Sequence, residues 1–215
     1  MLQYCKSPNS KCFLLTYLAL VVFLLVLWRS GTEAIVSDQR EIPSDLSAYL
    51  VSPPTEIASL FLDKKQVLTS ELFTNKWTFV YFAHHQCLPS CSQTLKLLSS
   101  LRESFSSNNI QFIIIELDPD KGPSPDKLAL FLEAQDLDLM PITASVEVTR
   151  QLASQFKELF LITNYADGRY QIEQQHQLFI VDPKGRVYAR LPQPYTLSII
   201  QKAFVSMRLF YAQTE

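Results

Sequence analysis

Four cysteines and three histidines are present in the 215 residues of this chain, and most of them fall in two places. Cys87 and Cys91 stand in the stretch AHHQCLPSC (residues 83–91), with His84 and His85 just ahead of them; His176 lies far downstream in QQHQ. A Cys-x-x-x-Cys pair supports two chemistries. Side chains four apart on a helix or nascent turn share one side, so two thiolates there suit a soft ion such as Cu(I) and call for one further ligand. The same separation is within disulfide reach, which makes the pair a redox couple. At the start of a helix the backbone dipole favours thiolate for either use. Spacing alone leaves both open. His176 is the candidate third ligand, because a fold that sets its segment beside the cysteine loop gathers metal-capable residues in one place. His84 and His85 read as solvated loop residues, outer neighbours at most. Asp118 and Asp120, near Glu116, read as loop and turn residues after a buried strand and not as a carboxylate site.

The elements that must position these residues follow from periodicity. Residues 77–83, WTFVYFA, are aromatic and β-branched throughout, as a strand buried on both faces requires. After the cysteines, Leu95, Leu98, Leu101 and Phe105 recur at helical spacing. Residues 110–118, IQFIIIELD, form a second apolar strand. Ser124 and Pro125 mark a helix start, and Val148, Leu152 and Phe156 define another helix. Residues 55–73 hold two short extended pieces around a polar turn. A connector with the turn signal Asp167-Gly168 leads to QLFIVDPKGRVYARL, a hairpin turning at Pro183 and Gly185, with His176 opening its first strand. A last amphipathic helix rests on Leu197, Ile200, Phe204 and Met207. Strand, helix, strand implies a right-handed parallel unit; the hairpin adds antiparallel strands. The expected fold is α/β, a four-stranded thioredoxin-like mixed sheet flanked by helices, with the cysteines in the loop after its first central strand.

Composition narrows the function classes. The net charge of -2 gives no bulk electrostatic reason to bind nucleic acid, and four glycines against twelve prolines make a glycine-rich phosphate cradle a poor fit. Residues 12–28, CFLLTYLALVVFLLVLW, contain no charge, at the short end of a membrane-spanning length. Lys6 and Lys11 precede the run and no small-residue cleavage site directly follows it, which favours an uncleaved anchor over a signal peptide. The expected layout is a cytoplasmic tail at 1–11, a transmembrane anchor at 12–28, a linker at 29–49 and a domain at 50–215. The absence of an Arg-rich presequence favours a bacterial inner membrane, with the C-terminal domain in the periplasm, over a mitochondrial one. There an oxidising compartment lets Cys87 and Cys91 pair.

Three stretches together, WTFVYFAHHQCLPSC, IELDPDKGPSP and QQHQLFIVDPKGR, resemble the SCO/SenC copper proteins used in assembling cytochrome c oxidase. The similarity runs from about Leu50 to Met207 in segment order. It implies a thioredoxin-like domain in which Cys87, Cys91 and a distal histidine bind copper. The chain departs from the pattern at Leu88 and Ser92, where the family carries prolines, and at Gly122 near the first Asp-Pro. Counted back without gaps from Asp182-Pro183, the family's histidine position falls on Gln174, two residues before His176.

The resemblance implies a membrane-anchored copper metallochaperone, with Cys87, Cys91 and His176 as ligands for Cu(I) or Cu(II) and a terminal oxidase subunit or another copper chaperone as partner. The alternative is a thiol–disulfide oxidoreductase that uses Cys87 and Cys91 on a partner's cysteines. A peroxide-consuming enzyme fits less well, since no activating motif surrounds Cys87.

Overall fold

The computed structural model describes residues 10–33, 41–58, 60–63, 66–68, 70–105, 109–117 and 127–215. Two compact units are present, residues 1–42 with 214–215, and residues 43–213.

In the first unit, helix α1 (Ser10–Glu33) contains the apolar run. Side chains at 16–27 are described, and Tyr17, Phe23 and Leu25 are each more than half exposed. Among the described residues no helix is long and apolar enough to cross a membrane.

The second unit begins with a turn whose Leu46 is 1% exposed. Then come β1 (Leu50–Glu56), the small hairpin β2 (Leu60–Asp63) and β3 (Gln66–Leu68), β4 (Trp77–Ala83), α2 (Ser92–Ser104) and β5 (Ile110–Glu116). They are followed by α3 (Lys127–Ala134), β6 (Met140–Ile142), α4 (Val146–Phe156), β7 (Phe160–Asn164), β8 (Tyr170–Gln174), β9 (Leu178–Val181), β10 (Arg186–Leu191) and α5 (Leu197–Thr214). The main sheet has six strands in the order β1-β10-β9-β4-β5-β6, not the four expected. β4, β5 and β6 run parallel, while β9 is antiparallel to β4 and β10 to β9. β1 and β6 escape a sequence reading for physical reasons. β1 carries Pro53 and Pro54, which suit only an edge, and β6 is three residues long with Pro141 inside it.

Two layers cover this sheet. On one face Val80, Phe82, Ile113, Ile115, Phe179 and Val181 meet Val148, Leu152 and Phe156 of α4. On the other, Phe79 stacks on Phe112 at 4.9 Å between ring centres and meets Phe204 of α5 edge-on at 4.8 Å. Leu95, Leu98 and Leu101 of α2 are fully buried, as their spacing required. Residues alternate along β4, so Tyr81 shares the Phe79 side.

Local signals explain several boundaries. The Ser145 hydroxyl accepts the Val148 N–H, capping α4. In the β9–β10 turn, one Asp182 oxygen accepts the N–H groups of Lys184 and Arg186, both at 3.0 Å, and Gly185 takes φ +80°. The expected helix start at Ser124 and Pro125 lies outside the described residues, as do Asp118, Asp120 and Gly122. The connector around Asp167-Gly168 is more ordered than its composition suggests: β7 and β8 pair from Phe160↔Gln174 to Asn164↔Tyr170 as a separate two-stranded ribbon. This ribbon delivers the chain to Gln174 and His176.

Candidate metal centre

The cysteine loop is built from successive turns at the C-terminal end of β4. The Cys87 N–H donates to the His84 carbonyl at 3.0 Å, and the Cys91 N–H to the Cys87 carbonyl at 3.1 Å. The Ser90 hydroxyl donates to the same Cys87 carbonyl at 2.5 Å. Cys91 is the N-cap of α2, and its carbonyl accepts the Leu95 N–H at 3.0 Å. These turns bring the two Cα atoms to 5.5 Å, and the sulfurs are joined as a disulfide. Both cysteines are buried, Cys87 at 2% and Cys91 at 0% exposure, under the exposed residues Leu88, Pro89 and Ser90. Once reduced, Cys91 would lie in the field of the α2 N-terminus, which favours thiolate.

His84 and His85 are not solvated, contrary to the expectation from sequence. His84 is 7% exposed. His85 is half-buried, with Nδ1 3.4 Å from Glu116 Oε1. Glu116 is itself buried, and its other oxygen accepts the Thr143 hydroxyl at 3.1 Å. The reason is the parallel register that sets Ala83 beside Glu116. That register folds residues 84–85 back over the end of β5 instead of into water.

His176 does not open a strand. It sits in the three-residue connection between β8 and β9, in the left-handed region at φ +52°, which is uncommon for a residue other than glycine. Strand alternation therefore does not set how His176 lies relative to Gln174. The turn brings the two side chains together by another route. His176 Nδ1 lies 2.7 Å from the Tyr81 hydroxyl and 3.0 Å from Gln174 Nε2. Gln174 Nε2 also donates to the Phe82 carbonyl at 2.7 Å. The His176 carbonyl accepts the Tyr195 hydroxyl at 3.0 Å, and that hydroxyl meets Thr94 of α2 at 3.1 Å. Burial lowers the His176 pKa and so favours the neutral imidazole that a metal needs.

Tyr81, Thr94 and Tyr195 were not singled out in the sequence. The one available signal was chemical: a tyrosine in a strand buried on both faces must still find a partner for its hydroxyl. Glu158 was missed as well. It is 4% exposed, and burial raises its pKa to about 7. The Gln175 N–H, next to His176, and the Arg190 guanidinium oppose that rise.

As donors, two sulfurs and one neutral imidazole fit copper, particularly Cu(I). Cys87 and Cys91 are brought together; in the disulfide form they are not gathered with His176. Among the described residues no group of three or more His, Cys, Asp or Glu side chains stands ready to hold a metal. The sulfurs are spent on each other, and the imidazole leans on Tyr81.

Comparison with known proteins places this arrangement. The family model described as SCO1/SenC matches residues 58–207. The SCO1 homolog 2 of Arabidopsis thaliana mitochondria is 22% identical over 60% of this chain and 48% of its own, so this chain spans about half the length of that relative. An SCO2-like protein of Rickettsia conorii is 25% identical over 77% of this chain and 82% of its own. The crystal structure of Arabidopsis thaliana ScoI with copper bound superposes with a TM-score of 0.58 at 18% identity, over 71% of this chain and 96% of that one. That likeness speaks for the fold, a thioredoxin-like mixed sheet with flanking helices. With the family model covering more than half of its residues, the chain belongs to the SCO1/SenC family.

Proposed function

We propose that this protein is a membrane-anchored copper metallochaperone that carries copper toward a terminal cytochrome oxidase, with Cys87, Cys91 and His176 as its ligands. The observation that carries the reading is the pairing of two buried sulfurs at the N-terminus of α2 in a SCO1/SenC domain. The copper-bound ScoI structure with the same fold supports the choice of metal. Copper here is cargo, taken up by the two thiolates after a partner dithiol reduces the Cys87–Cys91 bond by exchange and is itself left as a disulfide. The cargo would come from another copper chaperone or pass to an oxidase subunit. The apolar, exposed side chains around α1 support an anchor; the reading places it in a bacterial inner membrane with the C-terminal domain in the periplasm. The test is titration of the reduced full chain with Cu(I) and with Cu(II). Binding of one equivalent of either is expected, and failure of both to bind stoichiometrically overturns the reading.

A second reading is favoured by the disulfide itself: a thiol–disulfide oxidoreductase. In that reaction a partner's two thiols would become a disulfide while Cys87–Cys91 becomes a dithiol, so two electrons and two protons pass between them. A Cys87/Cys91 pair that exchanges with a model dithiol peptide, in a chain that binds no copper, selects this reading over the first.

A further inference from the structure

Gln174 occupies the position where the family resemblance places a histidine, and a carboxamide is a poor ligand for Cu(I). The structure gives Gln174 a different task. Resting on the copper reading above, we infer that His176 is the ligand in its place: the Tyr81 hydroxyl, with the Gln174 amide beside it, holds the His176 imidazole at Nδ1, and His176 presents Nε2 to the metal.

Three observations carry this. The first is which nitrogen is engaged. Nδ1 faces the Tyr81 hydroxyl at 2.7 Å and Gln174 Nε2 at 3.0 Å, while no described residue bonds Nε2. The second is that both holders are fixed. Tyr81 is fully buried in the central strand β4. The Gln174 amide is oriented by the Phe82 carbonyl, 2.7 Å from Nε2, since a carbonyl oxygen accepts only from the N–H side of the amide. The third is that the main chain is held separately, by the Tyr195 hydroxyl on the His176 carbonyl at 3.0 Å. Ring and backbone are tied to different elements, so the turn has little freedom to swing the ring over and offer Nδ1.

The hydroxyl of Tyr81 suits this role because it both donates and accepts. It donates to Nδ1 while Nδ1 carries the lone pair. With a metal at Nε2, a neutral imidazole bears its proton on Nδ1, and the same oxygen accepts it. Gln174 Nε2 lies 3.5 Å from that oxygen, near enough to turn its second N–H toward it. Partners of this kind set the tautomer and orientation of a ligating imidazole. Tyr81 and Gln174 are thus positioning residues, acting through His176.

The test uses the full chain, reduced and loaded with Cu(I), uniformly labelled with nitrogen-15. Two-bond proton–nitrogen correlation of the His176 ring should show Nε2 metal-bound and Nδ1 protonated. Tyr81→Phe keeps the buried ring and removes only the hydroxyl; it should move the Nδ1 resonance and weaken Cu(I) binding about ten-fold. Gln174→Leu provides a second variant at the strand end and should move the same resonance. The inference is overturned if Nδ1 is the bound nitrogen, or if both variants leave the Nδ1 signal and the affinity unchanged. A wild-type chain that binds no Cu(I) overturns the copper reading itself, a result distinct from copper bound with the His176 ring in another state.

Discussion

The two halves of the proposed site are built in opposite ways. Cys87 and Cys91 are four residues apart, set by hydrogen bonds within one loop. His176 is held by residues 95 and 19 positions away in sequence, Tyr81 and Tyr195, and by Gln174 beside it. The sulfur half is local and closed by a covalent bond. The imidazole half is assembled only when β4, β8, α2 and the segment after β10 have come together. Local geometry tolerates change elsewhere in the fold, whereas a ligand placed by four elements is exposed to shifts in each of them.

The harshest way to break the comparison is to remove one sulfur. Cys91→Ser is expected to abolish stoichiometric Cu(I) binding, because a hydroxyl does not replace a thiolate on a soft ion. His176→Ala should weaken binding by more than the roughly 10–100-fold typical of losing an outer partner, yet leave the dithiol able to retain some Cu(I). Isothermal titration under reducing conditions measures both. If His176→Ala binds like the wild type, the imidazole half is not part of the site and only the local half remains.

The same division explains what could be read from the sequence. The strand before the cysteines, the helix after them and the hairpin at Asp182 carry their own periodicity or turn chemistry. The disulfide-compatible spacing of Cys87 and Cys91 needs no tertiary knowledge. His176 was legible as a residue type but not as a position, because a left-handed turn after an amphipathic ribbon looks like the start of the apolar strand that follows. The burial of His84 and the His85–Glu116 contact depend on the register of β4 on β5, which no local pattern encodes. Tyr81 was hidden by its success as a core aromatic.

A third prediction concerns Glu158, buried beside the turn that carries His176. Its pKa is raised to about 7, from an ordinary 4.5, because burial penalises the charged form. Between those values the folded chain keeps the proton and the unfolded chain has lost it. Stability should therefore be greatest below the ordinary carboxylate range and fall as the pH climbs toward 7, by on the order of 2–3 kcal/mol. Glu158→Gln keeps the shape and removes the charge. Its melting temperature should exceed that of the wild type at pH 8 and match it near pH 4. Equal melting curves at pH 8 would mean that the carboxylate is tolerated in place, and the imidazole half would then owe nothing to its protonation.

The smallest effect belongs to Tyr195. Its hydroxyl holds the His176 carbonyl and meets Thr94, which also accepts from Gln193 Nε2 at 3.3 Å. Tyr195→Phe leaves one main-chain carbonyl without its donor and should cost about 0.5–1.5 kcal/mol in denaturant unfolding. The consequence for copper should be smaller than that of Tyr81→Phe. The His176 ring keeps its own partners at Nδ1, and the backbone is still pinned on both sides, by Gln174 pairing with Phe160 and by Leu178 pairing with Tyr81 and Leu191. A loss of copper affinity in Tyr195→Phe as large as in Tyr81→Phe would reverse that ranking. The main-chain tie, and not the ring tie, would then be what holds the imidazole in place.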